Sequence, residues 1–259
     1  MAYPVPMATM RAAALGSPGS LALTTRPVPE PGSGEVLLAV EATTICGTDL
    51  RIESGAKTRG VTPGVVLGHE VAGRVAALGG GLGAGAPAVG AQVGLAPEWV
   101  CGSCGPCACG RANVCENMRL FGTTVDGGLA DYLLVPAPAV AQCVVAVERE
   151  TDPALLALAE PLSCCLRAHA RLGIGAGDTV AVLGTGPIGL IHCALAARAG
   201  ARVIASGRPA RLEPALRFGA AHATAATGAE LVAEARRLTG GRGADAVIEA
   251  GFKPTMIVG

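Results

Sequence analysis

The first half of the chain alternates short apolar runs with breaks that are rich in glycine and proline. Apolar residues at 10–15, 35–41 and 65–75 have the length and composition of β-strands, and turn residues separate them. Runs of this kind continue to about residue 147. The pattern predicts a compact, mostly β domain over residues 10–150.

The period of the apolar residues changes after Asp152 and Pro153, which suit a helix N-cap and a first helical position. Strand-like and helix-like segments then take turns along the chain. We expect strands at 179–183, 202–206 and 244–250, and helices at 188–199, 209–218 and 229–238. Such alternation is typical of a parallel sheet covered on both faces, so residues 151–259 are predicted to form an α/β domain.

Composition and charge exclude several classes of protein. The chain of 259 residues is 51% hydrophobic and has 20 basic and 20 acidic side chains, so its net charge is zero. A nucleic-acid or anionic-membrane binder would show a basic surplus. The N-terminus lacks the pattern of a secretory signal, and glycine and proline interrupt the apolar windows. We therefore expect a cytoplasmic protein with no nucleic-acid or membrane partner.

Half of the ten cysteines crowd into one segment, residues 101–115, which in a cytosolic chain argues for a metal before disulfides. Four of them have the spacing of a metal site: Cys101, Cys104, Cys107 and Cys115. Four thiolates in a tetrahedron suit zinc and leave no open position, so the predicted ion is structural. Unligated loop cysteines, a rubredoxin-like iron site and an iron–sulfur cluster are the alternatives.

A second candidate metal site draws on three separate segments. Cys46 follows a predicted strand, His69 lies in the next apolar run, and Glu160 stands at a proline-marked boundary. A thiolate, an imidazole and a carboxylate would give zinc three ligands and leave one position for a substrate oxygen. Glu70 is a further or exchangeable ligand, and Thr48 offers a hydroxyl that can pass on the proton of an alcohol. The alternative is a small buried thiol and a satisfied core histidine.

A glycine-rich turn lies between the predicted strand at 179–183 and the helix that follows it. The candidate cofactor-binding residues of this G-x-G-x-x-G turn are Gly184, Gly186, Pro187, Ile188 and Gly189. Glycines allow the tight turn and the close approach of a pyrophosphate, whose charge the helix N-terminus attracts. The turn therefore predicts dinucleotide binding.

The end of the second predicted strand bears on the choice of dinucleotide. An acidic residue about twenty positions after the turn ordinarily binds the adenosine ribose of NAD. Here Gly207 and Arg208 follow the strand, no carboxylate is present, and Arg211 lies close by in sequence. Arginines bind phosphate well, which favours NADP over NAD. Arginines that are merely solvated are the alternative.

Together these features resemble the zinc-dependent medium-chain dehydrogenases, the family of alcohol, polyol and threonine dehydrogenases. The resemblance runs from about residue 10 to about residue 258. The motifs that carry it are, in chain order, Gly34-Glu35-Val36, Cys46-Gly47-Thr48-Asp49, Gly68-His69-Glu70, the four-cysteine segment, Asp126-Gly127-Gly128-Leu129-Ala130-Asp131-Tyr132, Glu160-Pro161-Leu162 and the turn at 184–189.

The resemblance implies a GroES-like catalytic domain, a Rossmann domain, and zinc and NAD(P) in a cleft between them. It also implies that Cys46, His69 and Glu160 hold or face a catalytic zinc ion, with Glu70 adjacent and Thr48 in the proton relay. The four-cysteine segment would hold a structural zinc ion. Members of the family form homo-oligomers.

The same resemblance bears on the substrate. The segment at 160–162 is similar to that of the sorbitol and threonine dehydrogenases, which favours a polyol, a sugar alcohol or a similar secondary alcohol. Arg51 stands where threonine dehydrogenases are expected to have a histidine, and this weakens threonine as the substrate.

Family members are longer than this chain, so we expect an incomplete Rossmann sheet, with residues 251–259 starting the helix after its fourth strand. Weakened activity and solubility are expected from such a truncation. The leading hypothesis is a zinc-dependent NAD(P)-linked alcohol or polyol dehydrogenase. The alternative is a non-catalytic, zinc-stabilised fragment with at most weak nucleotide binding. A zinc-free quinone reductase is disfavoured because such relatives lack both metal sets.

Overall fold

A computed structural model describes residues 8–17 and 19–251 of the chain. The chain divides into two compact units between Glu160 and Pro161. The predicted division, after residue 150, lies before this point. The cause is the short helix at 153–157, which starts as predicted, with Asp152 accepting the N–H of Ala154 at 2.9 Å. This helix packs on the sheet of the first unit, where Leu156 lies against Gly94.

The first unit is mostly β, as predicted. Its strands are β1 (Thr9–Leu15), β2 (Leu21–Pro27), β3 (Val36–Thr44), β4 (Glu70–Leu78), β5 (Gln92–Leu95), β6 (Glu98–Trp99), β7 (Arg119–Leu120), β8 (Tyr132–Val135) and β9 (Val144–Ala146). Its helices are α1 (Gly47–Glu53), α2 (Gly105–Ala108), α3 (Ala137–Cys143) and α4 (Pro153–Ala157), with a 3₁₀ turn at Ala112–Val114.

An antiparallel sheet in the order β8-β3-β4-β5-β9 forms the centre of the first unit. Its core is built from β-branched and large apolar side chains, among them Val36, Leu38, Val75, Val93 and Phe121, none of which is exposed. Such side chains pack well on a pleated surface, which explains why these runs form strands. The hairpin of β1 and β2 and the short pair of β6 and β7 form separate two-stranded sheets.

The second unit has the predicted alternation of strands and helices. Helix α5 (Ala159–Leu172) spans the division, and the elements after it are β10 (Thr179–Leu183), α6 (Pro187–Arg198), β11 (Arg202–Ser206), α7 (Leu212–Arg217), β12 (His222–Thr224), α8 (Gly228–Leu238) and β13 (Ala246–Glu249). The strands form a parallel sheet in the order β12-β11-β10-β13. The α/β fold class, a GroES-like domain followed by a Rossmann-like parallel sheet, is confirmed.

One predicted helix differs in detail, and another lies outside the described residues. The helix expected at 209–218 begins as a 3₁₀ turn at Pro209–Arg211 before α7. Pro214 lacks the N–H that an α-helix from residue 209 would need in its second turn. The start of a helix expected at 251–259 falls outside the described residues beyond Gly251.

Strand β13 forms one edge of the parallel sheet within the described residues, and its Val247 side chain is 57% exposed. None of the helices in the described ranges combines the length and the apolar character that a membrane crossing requires.

Candidate active site and metal centres

The four cysteines of the predicted structural site come together between β6 and β7, in a lobe that we call the four-cysteine lobe: Cys101, Cys104, Cys107 and Cys115. Their Sγ atoms all lie within 4.8 Å of one another. Cys115 Sγ lies 3.5 Å from Cys101 Sγ and 3.8 Å from Cys104 Sγ. Tetrahedral zinc with Zn–S bonds of about 2.3 Å requires sulfur atoms about 3.8 Å apart. The donor set and spacing therefore fit a structural zinc ion.

Backbone and amide N–H groups surround the sulfur atoms of the lobe. Cys115 Sγ accepts the N–H groups of Cys101 and Asn117, each at 3.4 Å, and Asn117 Nδ2 lies 3.6 Å from Cys101 Sγ. Hydrogen bonds from the Ser103 backbone and the Asn117 side chain lower the pKa of Cys101 to about 5. The thiolate is the form that binds a metal. Sequence reasoning missed Asn117, which nothing in the cysteine spacing indicates.

A second group, Cys46, His69 and Glu70, also has its ligand atoms within 4.8 Å of one another. Cys46 is the N-cap of α1, two residues after the end of β3, and Glu70 opens β4. The antiparallel register pairs Thr44 with Glu70, so the end of one strand lies beside the start of the next. His69 and Glu70 are only 7% and 6% exposed. Buried ionisable groups are normally paired or bound to a metal, and these fit zinc by donor type.

Asp49 is a buried carboxylate that sequence reasoning left without a role. It accepts hydrogen bonds from the backbone of the two segments that carry Cys46 and His69. Its Oδ2 accepts the N–H of Cys46 at 2.8 Å and its Oδ1 accepts the N–H of Gly68 at 3.2 Å. His69 Nδ1 lies 3.5 Å from Asp49 Oδ1 and makes no hydrogen bond within the described part of the chain. Because Nδ1 faces the carboxylate, Nε2 is the nitrogen available to an ion, and such a carboxylate orients a metal-binding imidazole. An acidic residue in the first turn after the Cys46 N-cap is the signal that could have found it.

Asp49 and His69 shift each other's pKa. Burial by itself would lower the pKa of His69, but the Asp49 carboxylate and Cys46 outweigh burial and raise it to about 10. Burial would raise the pKa of Asp49, and His69 together with the N–H groups of Cys46 and Gly68 lowers it instead. The pocket therefore favours a cation beside Cys46, and a metal ion can replace the imidazole proton.

The remaining predicted residues have separate places. Thr44 Oγ1 donates a hydrogen bond to Glu70 Oε2, which orients that carboxylate. Thr48 is half-buried at the second position of α1, two residues from Cys46. Glu160 is half-buried in the first turn of α5 and does not belong to the group that includes Cys46. The role of Glu160 as a ligand stays a prediction.

The glycine-rich turn of the second unit has the predicted strand–turn–helix setting. Gly186 is the N-cap of α6, which begins with Pro187. Gly184 has φ of +102°, a conformation that favours glycine. A Cβ on Gly184 would lie 2.5 Å from the backbone nitrogen of Gly251, and a Cβ on Gly189 would overlap the carbonyl oxygen of Gly184. The turn and helix can pack this closely only with glycines, as a dinucleotide cradle requires.

Arg211 lies over this turn. Its Nη1 is 3.4 Å from the point that a Cβ on Gly186 would occupy, so the guanidinium is close to the helix N-terminus. Arg208 is exposed just after β11. Gly207 has a packing cause, because a Cβ there would overlap the Thr185 side chain. Thr185 Oγ1 is buried and lacks a hydrogen-bond partner in the described ranges, which marks the turn as a place where a polar ligand atom fits.

Comparison with known families matches both units. Residues 32–145 match the alcohol dehydrogenase GroES-like domain, and residues 187–257 match the zinc-binding dehydrogenase family. The first match contains all the cysteine, histidine and glutamate residues of the two metal groups. The second begins at the N-terminus of α6.

Individual relatives agree with the family matches. The chain is 36% identical to L-threonine 3-dehydrogenase of Pyrococcus furiosus, over 88% of the chain and 64% of that relative. It is 32% identical to sorbitol dehydrogenase of Bacillus subtilis, over 99% of the chain and 72% of the relative. The chain thus spans less than two thirds of the length of the threonine dehydrogenase that it matches.

Solved structures show the same fold. A protein of Sinorhizobium meliloti, described as a zinc-binding dehydrogenase and bound to NADP, has 39% identity and a TM-score of 0.80, over 88% of this chain and 65% of that one. An alcohol dehydrogenase from E. coli CFT073 complexed with NADH has 29% identity and a TM-score of 0.82, over 96% and 71%. With the metal groups and the glycine turn, these matches place the chain in the zinc-dependent medium-chain alcohol and polyol dehydrogenase family.

Proposed function

We propose that this chain carries the catalytic metal centre and the dinucleotide turn of a zinc-dependent oxidoreductase, which moves hydride between a secondary alcohol or polyol and NAD(P). The observation that carries the proposal is the convergence of Cys46, His69 and Glu70 in the unit that matches the GroES-like domain. A thiolate from one segment, with an imidazole and a carboxylate from another, makes a site that leaves a position for a substrate oxygen.

The protein's own residues have distinct tasks in this proposal. Cys46 and His69 would hold the zinc ion, Glu70 would be a third or exchangeable ligand, and Glu160 stays a proposed ligand on the grounds of its motif. When bound, zinc would supply a Lewis acid for an alcohol oxygen, and NAD(P) would supply the hydride acceptor. Thr48 Oγ1 takes the alcohol proton and passes it towards solvent.

The positively charged surroundings of the glycine turn favour NADP over NAD. Arg211 lies beside Gly186 and Arg208 follows β11, where a carboxylate for the ribose of NAD is absent. A guanidinium binds phosphate oxygens through two parallel hydrogen bonds. The Sinorhizobium meliloti relative is bound to NADP, whereas the E. coli relative is complexed with NADH.

We infer the substrate class from the names of the relatives and from one position, Arg51, at which this chain differs from the residue expected in threonine dehydrogenases. Their names are threonine, sorbitol and galactonate dehydrogenase, which all denote secondary alcohols with further polar groups. Arg51 replaces the histidine expected for threonine, so a polyol is favoured over threonine.

The ten free cysteines suit a reducing compartment, which supports a cytoplasmic location.

A panel of polyols and secondary alcohols, tested with both cofactors, examines this proposal. We expect an alcohol-dependent rise in reduced-nicotinamide absorbance and two zinc ions per chain. One zinc ion per chain and no hydride transfer would favour the alternative, a non-catalytic, zinc-stabilised module.

The cofactor preference has its own test. Arg211→Ala should weaken NADP binding more than NAD binding, whereas Arg217→Ala, at an exposed arginine of α7, should change neither. Equal losses for both cofactors in Arg211→Ala would contradict the NADP preference.

A further inference from the structure

The Asp126–Tyr132 motif has no task in the chemistry proposed above, yet its first residues lie along the backbone that leads to His69. Backbone N–H groups of this motif donate to three successive carbonyls: Gly127 to Val66 at 2.8 Å, Leu129 to Leu67 at 2.9 Å and Gly128 to Gly68 at 2.9 Å. The residue after this bonded segment is the proposed metal ligand.

Glycines make the contact unusually close. A Cβ on Gly122 would lie 2.9 Å from both the nitrogen and the oxygen of Gly68, and a Cβ on Gly127 would overlap the same oxygen. Gly68 itself has φ of +92°, and a Cβ on it would lie 2.9 Å from the backbone nitrogen of Leu129. We call Gly122 and Gly127 the glycine clamp, because no side chain separates them from the Gly68 backbone.

The clamp also has a polar anchor. Asp126 Oδ1 accepts the N–H of Val66 at 2.8 Å, and its Oδ2 lies 3.1 Å from Arg26 Nη1. The Asp126 side chain is 51% exposed, so it can be replaced without opening a cavity in the core.

We propose that the glycine clamp and Asp126 are positioning residues for His69, and that they fix the imidazole by holding the Gly68 peptide. Asp49 accepts the N–H of Gly68, Gly128 donates to its carbonyl oxygen, and the glycine clamp lies against that oxygen, so the peptide groups on both sides of Gly68 are held. Ligand distances in metal sites vary by only about 0.2 Å, so a small shift of this peptide weakens metal binding. The inference rests on the proposed metal centre at Cys46, His69 and Glu70.

The test is Gly127→Ala, measured as metal content and as the rate of metal release to a chelator. Gly127 does not have a positive φ, so the added Cβ acts through space and not through backbone strain. The matched control is Gly83→Ala in the same unit, where an added Cβ has no atom within 4 Å. We expect release from the Cys46 centre to be about 10-fold faster or more, which is the usual effect of residues that orient a metal ligand. The four-cysteine lobe should keep its ion.

Cobalt substitution distinguishes the two centres, because thiolate-to-cobalt absorption is stronger for four thiolates than for one. If unmodified protein binds one ion, in the four-cysteine lobe alone, the proposed metal centre itself is wrong. If it binds two ions and Gly127→Ala releases both at the unmodified rates, the metal centre stands and the positioning role is wrong. Loss of both ions together in Gly127→Ala would mean a general loss of fold and would also count against positioning.

Asp126 gives a second, milder test that does not depend on the folding of the glycine variant. Asp126→Ala removes the acceptor for Val66, whereas Asp126→Asn retains a side-chain oxygen that can accept it. Faster release from the Cys46 centre in Asp126→Ala, restored by Asp126→Asn, is expected. Arg26→Gln serves as the control for the ion pair and should leave the release rate unchanged. Equal release rates in Asp126→Ala and Asp126→Asn would overturn the role of Asp126.

Discussion

The four-cysteine lobe and the Cys46 centre gather metal-binding side chains in different ways. The lobe takes all of its ligands from residues 101–115, and a tight turn brings the sulfur atoms together. The Cys46 centre joins the N-cap of α1 to the start of β4, so it exists only when β3 and β4 pair in the observed register. Local chain geometry builds the first site, and the fold of the whole sheet builds the second.

The two sites also differ in burial and in donor type. Cys101 is exposed and only Cys115 of the lobe is buried, whereas His69 and Glu70 are both buried. Four sulfurs saturate zinc, whereas three protein donors leave one ligand position for a substrate. This difference underlies our proposal that one site stabilises the fold and the other performs chemistry, and the following changes test that division.

The largest expected effect is on the fold of the lobe. Cys104→Ser removes one of the four thiolates and should abolish zinc binding there. The lobe should then lose its fold, since a structural zinc site in a small module contributes about 10 kcal/mol or more. Trp99, the only tryptophan, is 8% exposed and lies 5.0 Å from the Phe121 ring, so its fluorescence reports the base of the lobe. We expect its emission to shift to longer wavelength. Cys109→Ser, at an exposed cysteine outside the group, is the control, and an unshifted spectrum in Cys104→Ser would contradict the structural role.

The next effect should separate turnover from stability. Cys46→Ser removes a ligand of the proposed catalytic centre, and metal Lewis acids supply several kcal/mol of transition-state stabilisation. Alcohol-dependent turnover should therefore fall by about a thousandfold. Trp99 emission should not change, because the lobe is intact. Normal turnover in Cys46→Ser would contradict the division of roles.

A smaller effect is expected from Asp49→Ala, which removes the carboxylate that faces His69 Nδ1 and accepts the N–H groups of Cys46 and Gly68. Metal affinity of the Cys46 centre should fall about 10–100-fold, as for other carboxylates that orient a histidine ligand. In Asp49→Asn the metal affinity should fall less, because the asparagine side-chain oxygen can still accept one N–H. Chelator competition measures both, and an equal loss of affinity in the lobe would argue against a specific role.

Some of these features could be predicted from the sequence alone, and others could not. The spacing of Cys101 to Cys115 predicted the lobe because all its ligands are close in sequence. Donor types suggested Cys46 and His69 as ligands of one ion, and the resemblance supported the pair. Glu70, expected as a further or exchangeable ligand, lies in the same group, and the role of Glu160 stays a prediction. Asp49 could have been found as an acidic residue in the first turn after the Cys46 N-cap. Gly127 lies against the carbonyl oxygen of Gly68 from a segment distant in sequence, so no spacing rule reveals it. The fold class was predictable because apolar periodicity follows the strands and helices directly. The division after Glu160 depended on which sheet α4 packs against, and periodicity does not show this.

The smallest expected effect is on the pH dependence of the free energy of unfolding, on which His69 and two histidines of the second unit act in opposite directions. His169 Nε2 lies 3.1 Å from His192 Nδ1, and burial lowers the pKa of both below 6.5. The unfolded chain then binds more protons than the folded one, so the free energy of unfolding should fall as pH drops below about 6.5. In metal-free protein the raised pKa of His69 has the opposite sign, giving stability that is lost as pH rises from 6.5 through about 10.

Denaturant unfolding at a series of pH values measures both slopes. His169→Gln should reduce the slope on the acid side only, because glutamine can hydrogen-bond to His192 without gaining a proton. An unchanged acid slope in this variant would assign the effect to other groups.

Anomalous diffraction at the zinc absorption edge tests the central claim most directly. We predict two peaks per chain, one among the four cysteines of the lobe and one within about 2.3 Å of Cys46 Sγ and about 2.1 Å of a ring nitrogen of His69. A single peak in the lobe, with Cys46 and His69 in contact with each other and no metal between them, would contradict the assignment of a catalytic centre to this chain.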